Sequence, residues 1–300
     1  MSIIQKAALR LEELQRAGIA VPRQARPDAQ GMDPALQVRL PASLSSVASP
    51  AHARPEAQRT STQVELDLMR LELQGYLVPT QNSSMLAEEF RHIKQPLLRI
   101  AREAAGKVAN RGALIMVTSA LSKEGKTFCA INLALSMAME IDTTVLLVEA
   151  DVVRPAVLDR LGLPPSLGLM DILTDPSIGL SEVLLRTNVP KLTLLPAGTR
   201  SARSTELLGS DAMERLLVEL CTKYPDRVVV FDAPPLLLTA EAKVLAARLG
   251  QVVMVVEAGS TSRGAVLEAL AAVEECPHVM GVLNKCIEPR AGGRYGQYLG

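Results

Sequence analysis

The segment Ala120-Leu-Ser122-Lys123-Glu124-Gly125-Lys126-Thr127-Phe128 follows an apolar run and opens a helical stretch. With Ala120 standing at the first glycine, it fits the phosphate-binding pattern GxxxxGK[ST]. Such a loop surrounds phosphate oxygens with backbone N–H groups and aims a helix N-terminus at them. In that role Lys126 reaches the β- and γ-phosphates of a nucleotide, and the Thr127 hydroxyl ligates Mg²⁺.

Two acidic motifs occur further along. One apolar run ends in Glu149-Ala-Asp151-Val-Val-Arg154-Pro155, and another in Phe231-Asp232-Ala-Pro-Pro235. A carboxylate leaving the C-terminal end of a buried parallel strand faces the crevice where such sheets bind ligands. Each acid alone reads equally well as a helix cap or a solvated loop end. Three motifs in this order, each at the end of a predicted strand, point together to nucleotide binding.

The elements that must position them alternate. Residues 112–119, 143–150, 191–198, 226–233, 251–258 and 278–284 are nearly continuous runs rich in Val, Leu, Ile and Met, as in strands covered on both faces. Helical stretches are predicted over Thr127–Glu140, Thr205–Tyr224, Thr239–Leu249 and Thr261–Glu275. The repeated βαβ pattern predicts a doubly wound, mostly parallel α/β sheet over residues 63–290.

Upstream, Ile4, Ala7, Leu11 and Leu14 recur at helical spacing between Ser2 and Gly18, predicting a short amphipathic helix within residues 1–20. The pattern suits a helix docked on its own domain as well as a handle for a partner. Residues 21–62 include Pro22, Pro27, Pro34, Pro41, Pro50 and Pro55 with little apolar periodicity, so they read as a disordered linker. Helices are expected in VELDLMRLELQGYLVP and over Ser84–Ala105, the latter bent at Pro96. Residues 291–300 form a Gly-flanked tail that holds Tyr295 and Tyr298.

Composition narrows the partners. Basic and acidic residues balance at 32 each, and aromatics are only 2%, which argues against a nucleic-acid partner. Cys129, Cys221, Cys276 and Cys286 lack zinc-site spacing and read as reduced thiols of a cytoplasmic protein. His52, His92 and His278 are scattered. No apolar run reaches the length of a membrane span, and the N-terminus does not read as a signal peptide. Membrane attachment is expected to come through a partner.

VTSALSKEGKTF, EADVVRP and VVVFDAPP together resemble the motifs of the bacterial tyrosine kinases, P-loop proteins related to the MinD/ParA-type ATPases. The similarity extends over MSIIQKA, VELDLMRL, LAEEFRHIKQPLL, RTNVPKLTLLPAGT and STELLGSDAMERLL, and is greatest to the exosortase-associated tyrosine autokinases of exopolysaccharide gene clusters. The resemblance implies ATP and Mg²⁺ as cofactors, with Ser122 to Phe128 around the phosphates. It places the metal and reacting groups at Thr127, Asp151 and Asp232, with Glu149 beside them, Arg154 near the phosphates or the subunit contact, and Asn284 near the base. It makes Tyr295 and Tyr298 phosphoacceptors and Glu88-x-x-Arg91-x-x-Lys94 a version of the ExxRxxR oligomerisation motif, with Lys for the last Arg. Without the family context, that helix face reads as solvated, with an ordinary i,i+3 ion pair. The implied partners are other copies of the chain and a membrane-spanning polysaccharide chain-length protein that regulates export and brings the kinase to the inner membrane.

The chain departs from the family pattern in places. Ser122 and Lys123 replace Pro-Gly, Glu149 replaces the first Asp of the second motif, and Val153 replaces an Arg. A positive φ at Lys123 would cost about 1–2 kcal/mol. Two other functions share these motifs: a MinD/ParA-type switch ATPase, whose signature lysine is here Leu121, and a nucleotide-binding scaffold with weakened catalysis.

Overall fold

The computed structural model describes residues 61–80, 84–104, 111–223 and 226–286. The helix expected within 1–20, nearly all of the 21–62 linker and the tail with Tyr295 and Tyr298 lie outside them. A short strand β1 (Thr62–Val64) leads to helix α1 (Leu68–Leu73) and the long helix α2 (Met85–Ala104). Strand β2 (Leu114–Ser119), helix α3 (Lys126–Ala138) and strand β3 (Thr144–Glu149) follow. Short helices α4 (Val157–Leu161), α5 (Leu169–Thr174) and α6 (Leu180–Val183) lead to strands β4 (Leu185–Thr187) and β5 (Leu192–Leu195). The rest is α7 (Ser204–Leu208), α8 (Asp211–Lys223), β6 (Arg227–Asp232), α9 (Ala240–Ala246), β7 (Gln251–Glu257), α10 (Arg263–Ala271) and β8 (Val279–Asn284).

The strands form one eight-stranded sheet in the order β1-β4-β5-β3-β6-β2-β7-β8, parallel at every pairing except β4 with β5. The expected doubly wound α/β fold is therefore present. Residues alternate between its two cores: Ile115, Val117, Val145 and Leu147 face one, while Leu114, Met116, Leu146 and Val148 face the other. That two-sided burial explains the apolar runs in the sequence. Each fully buried Leu, Ile or Phe side chain contributes about 1.5–3 kcal/mol relative to exposure. The central strands β3, β6 and β2 consequently form a rigid platform, and the candidate motifs all leave from its carboxyl edge.

Three expectations are corrected. Thr62 is not linker but the first residue of β1, paired with Leu185. The single helix expected over Thr205–Tyr224 is two, because the chain breaks at Gly209-Ser210, where the Ser210 hydroxyl accepts the Met213 amide proton. The helix expected over Ser84–Ala105 is present as α2, with Pro96 inside it.

The third correction concerns Lys94 on α2, which is not on an exposed oligomerisation face. It is buried, donating to the Ser136 carbonyl at 2.7 Å and pairing with Glu140 at 2.8 Å. A cation there meets the electronegative C-terminal end of α3 and ties α2 to the helix that begins at the phosphate loop. Glu88 and Arg91 are exposed and form an i,i+3 ion pair. Replacing Lys94 with Met should therefore lower stability by about 2 kcal/mol, since the Ser136 carbonyl loses its partner. Chemical denaturation read by circular dichroism measures this, and an unchanged midpoint would refute the tether.

Candidate functional site

β2 ends at Ser119 and the chain turns through Ala120–Gly125 into α3. Ala120 is fully buried and does not have a positive φ, so the missing first glycine carries no backbone penalty there. Lys123 does: its φ is +70°, the left-handed conformation that disfavours a side chain. Gly125 has φ +100°, and a Cβ on it would lie 2.0 Å from the Asn284 side-chain nitrogen, so only glycine fits.

The loop is fastened from several directions. The Leu121 amide donates to the Glu124 carboxylate at 2.5 Å, and that carboxylate also accepts from the Thr261 hydroxyl. Asn284 donates to the Glu124 carbonyl at 2.8 Å, and Lys285 to the Lys123 carbonyl at 2.8 Å. Thr118 donates to the Pro234 carbonyl at 2.7 Å, linking the loop's strand to the motif after β6. Thr261 and Lys285 carried no signal in the sequence, because they reach the loop across 137 and 162 residues.

The two acidic motifs meet the loop at Lys126. Its ammonium lies 2.6 Å from Asp151 and 3.9 Å from Asp232, with the Thr127 hydroxyl at 3.5 Å. Glu149 and Asp232 are directly paired in register on β3 and β6, and the Asp232 carbonyl accepts from both the Ala150 and Asp151 amides at 2.8 Å. Asp151 also accepts the Arg154 amide proton at 3.0 Å, while the Arg154 side chain is exposed.

Asp232 is completely buried, and neither carboxylate oxygen has a hydrogen bond of good geometry among the described residues; the Lys126 ammonium at 3.9 Å and the nearby Thr127 hydroxyl are what it faces. Burial pushes its pKa from 3.8 up to about 6, with the Lys126 charge and the nearby Thr127 hydroxyl opposing, and Asp151 and Glu149 adding to the rise. A buried carboxylate with this much unused acceptor capacity suits a cation, and the N-terminus of α3 suits an anion. The residues present therefore fit Mg²⁺ and a polyphosphate.

The chain is similar to several curated proteins. It is 29% identical over 220 residues to tyrosine-protein kinase YwqD of Bacillus subtilis, covering 73% of this chain and 89% of the relative. It is 31% identical over 191 residues to tyrosine-protein kinase CpsD of Streptococcus agalactiae, covering 62% of this chain and 81% of the relative. The chain belongs to the bacterial tyrosine-protein kinases. The solved kinase domain of Escherichia coli tyrosine kinase ETK shares 26% identity at a TM-score of 0.55, over 63% of this kinase and 72% of that chain. Other curated relatives are longer, and the kinase spans about a quarter of their length. No family model matches it.

One residue of the kinase lies differently from expectation. Glu149 turns away from the loop into backbone amides, accepting from Val157 at 2.5 Å and Ala197 at 3.3 Å. Burial raises its pKa, these amides pull it back, and Asp151 raises it further. The extra methylene thus lets the carboxylate hold the start of α4 to the end of β5. Asn284, expected near the base, donates its side-chain N–H to the Glu124 carbonyl of the loop. Among the thiols, Cys129 on α3 is raised to about 12, first by burial and then by Asp232, which makes it unreactive.

Proposed function

We propose that this kinase binds Mg·ATP at the loop and transfers the γ-phosphoryl group to Tyr295 and Tyr298 in the tail of an adjacent copy. The buried Asp232 carboxylate, without a hydrogen bond of good geometry among the described residues and 3.9 Å from Lys126, is the observation that carries this reading. Ser122 to Phe128 would surround the phosphates, with Thr127, Asp151 and Asp232 as the groups for Mg²⁺. When bound, Mg²⁺ neutralises charge on the phosphates and holds them in line.

The chain's own residues supply the rest. Lys126 leaves Asp151 to meet the β- and γ-phosphate oxygens and offsets charge as it develops. Asp151, freed of that ion pair, accepts the phenol proton. The phenol oxygen forms a bond to phosphorus, the bond to the β-phosphate oxygen breaks, and ADP leaves. A phenol with a pKa near 10 needs such a base at neutral pH. Glu149 is assigned to positioning, since its oxygens are engaged with the amides after β3 and β5. Arg154, exposed beside Asp151, is assigned to the phosphate or the neighbouring subunit.

Among the described residues no helix is long and apolar enough to cross a membrane. The proposed link to the inner membrane is a membrane-spanning polysaccharide chain-length protein whose cytoplasmic end docks on the kinase, so that phosphorylation regulates polymer length and export. Exposed Glu88 and Arg91 on α2 are assigned to contacts between copies, without Lys94.

Mass spectrometry after incubation with Mg·ATP should find phosphate on Tyr295 or Tyr298. Changing both to Phe should remove at least nine-tenths of the incorporated phosphate, an estimate of about tenfold if neither site has a substitute, and leave nucleotide binding unchanged. Undiminished labelling in that variant would place the acceptors elsewhere. ADP release with no labelled tyrosine would instead favour a switch ATPase, and neither product, even with the partner's cytoplasmic segment added, a scaffold.

A further inference from the structure

Lys285 has no place in the catalytic assignment, yet it is bonded to the strained residue of the phosphate loop. It follows the last strand, β8, and its ammonium lies 2.8 Å from the Lys123 carbonyl and 3.0 Å from the Glu257 carboxylate at the end of β7. The next carbonyl, that of Glu124, is held at 2.8 Å by Asn284. Two consecutive carbonyls of the loop are therefore anchored to the ends of β7 and β8.

Peptide planarity gives this arrangement a consequence. In a trans peptide the C=O and the following N–H point in opposite directions. Anchoring the Lys123 and Glu124 carbonyls toward β8 turns the Glu124 and Gly125 N–H groups the other way. Neither N–H has a hydrogen-bond partner among the described residues. They belong to the loop that must present donors to phosphate. Lys123 at φ +70° is the residue most prone to relax and misdirect them.

We propose that Lys285 is a positioning residue for nucleotide binding, holding Lys123 in a left-handed conformation that glycine would adopt unaided. The inference rests on the loop being the nucleotide site, and adds to it an anchor from the end of β8, at the same carboxyl edge of the sheet. The Lys285–Glu257 pair is partly exposed, so its own contribution to folding is small, and the effect should appear in binding.

Calorimetric titration of the full-length chain with Mg·ADP tests this. Loss of a charge-assisted hydrogen bond in Lys285→Ala should weaken binding about tenfold, with little change in melting temperature. In tail phosphorylation the KM for ATP should rise while kcat stays close to wild type. Lys285→Arg should recover part of the affinity. Adding Lys123→Gly to Lys285→Ala should restore binding to within about twofold, because glycine needs no anchor at positive φ. Wild-type affinity in Lys285→Ala would overturn the proposal, as would a double variant no tighter than Lys285→Ala. The titration needs no phosphoryl transfer, so wild-type binding without tail labelling would overturn the acceptor reading alone.

Discussion

Lys126→Met should reduce tyrosine phosphorylation by on the order of 100-fold or more, the scale set by removing a charge-stabilising donor from a preorganised site. Met preserves much of the volume and removes the charge. Lys126 is the single described cation within ion-pairing distance of both Asp151 and Asp232, at 2.6 Å and 3.9 Å. Its loss removes the counter-ion of two buried carboxylates as well as the group that meets the phosphates. The Met variant should therefore also be less stable near neutral pH. Lys126→Arg separates the two effects: it keeps a positive charge by Asp151, but its planar fork does not reproduce a compact ammonium. Arg should recover much of the lost stability and little of the phosphorylation. Denaturation curves and phosphate incorporation, measured on both variants, give the two readouts. Phosphorylation within a few-fold of wild type in the Met variant would remove Lys126 from the chemistry.

The legible parts of this protein were those whose physics is local or strongly periodic. The central strands announced themselves because both faces are buried, as the alternation of β2 and β3 between two cores requires. The phosphate loop was legible because GKT sits between a strand and a helix, and the penalty anticipated at Lys123 corresponds to a real positive φ. β1 and β4 were missed because each is three residues long at one side of the sheet, with polar residues and no readable periodicity. Lys94 was legible in principle. It shares a stripe with Phe90, Leu97, Leu98 and Ala101, spaced as one buried helix face, but the motif spacing from Glu88 outweighed that pattern. The second role of Asn284 and the position of Lys285 depend on bringing β8 beside the loop. No local pattern reports a hydrogen bond across 160 residues.

Asp232→Asn should abolish phosphoryl transfer while making the metal-free protein more stable above pH 6. The sign follows from the raised pKa of this carboxyl. Its value in the folded protein, about 6, exceeds the ordinary 3.8, so between these values the folded state holds a proton that the unfolded chain has released. This site therefore loses stability as pH rises from about 4 to 6, and the loss is complete above the folded value. A shift of about two units corresponds to on the order of 3 kcal/mol. Asn removes the titrating charge at nearly the same size. The stability difference between variant and wild type, measured in chelator without nucleotide, should be small at pH 4, grow through pH 6 and level off above it. Taking the difference cancels the titration of groups elsewhere in the chain. Adding Mg·ADP should reverse the ranking, because the wild-type carboxylate gains its cation and Asn cannot supply the charge. A variant no more stable than wild type at pH 8 without metal would show that Asp232 is already satisfied in the folded chain. The buried charge would then no longer mark the metal position. The predicted reversal instead makes Asp232 a site where folding stability is sacrificed to hold a buried carboxylate, with Lys126 at 3.9 Å as its only described counter-ion, ready for Mg²⁺.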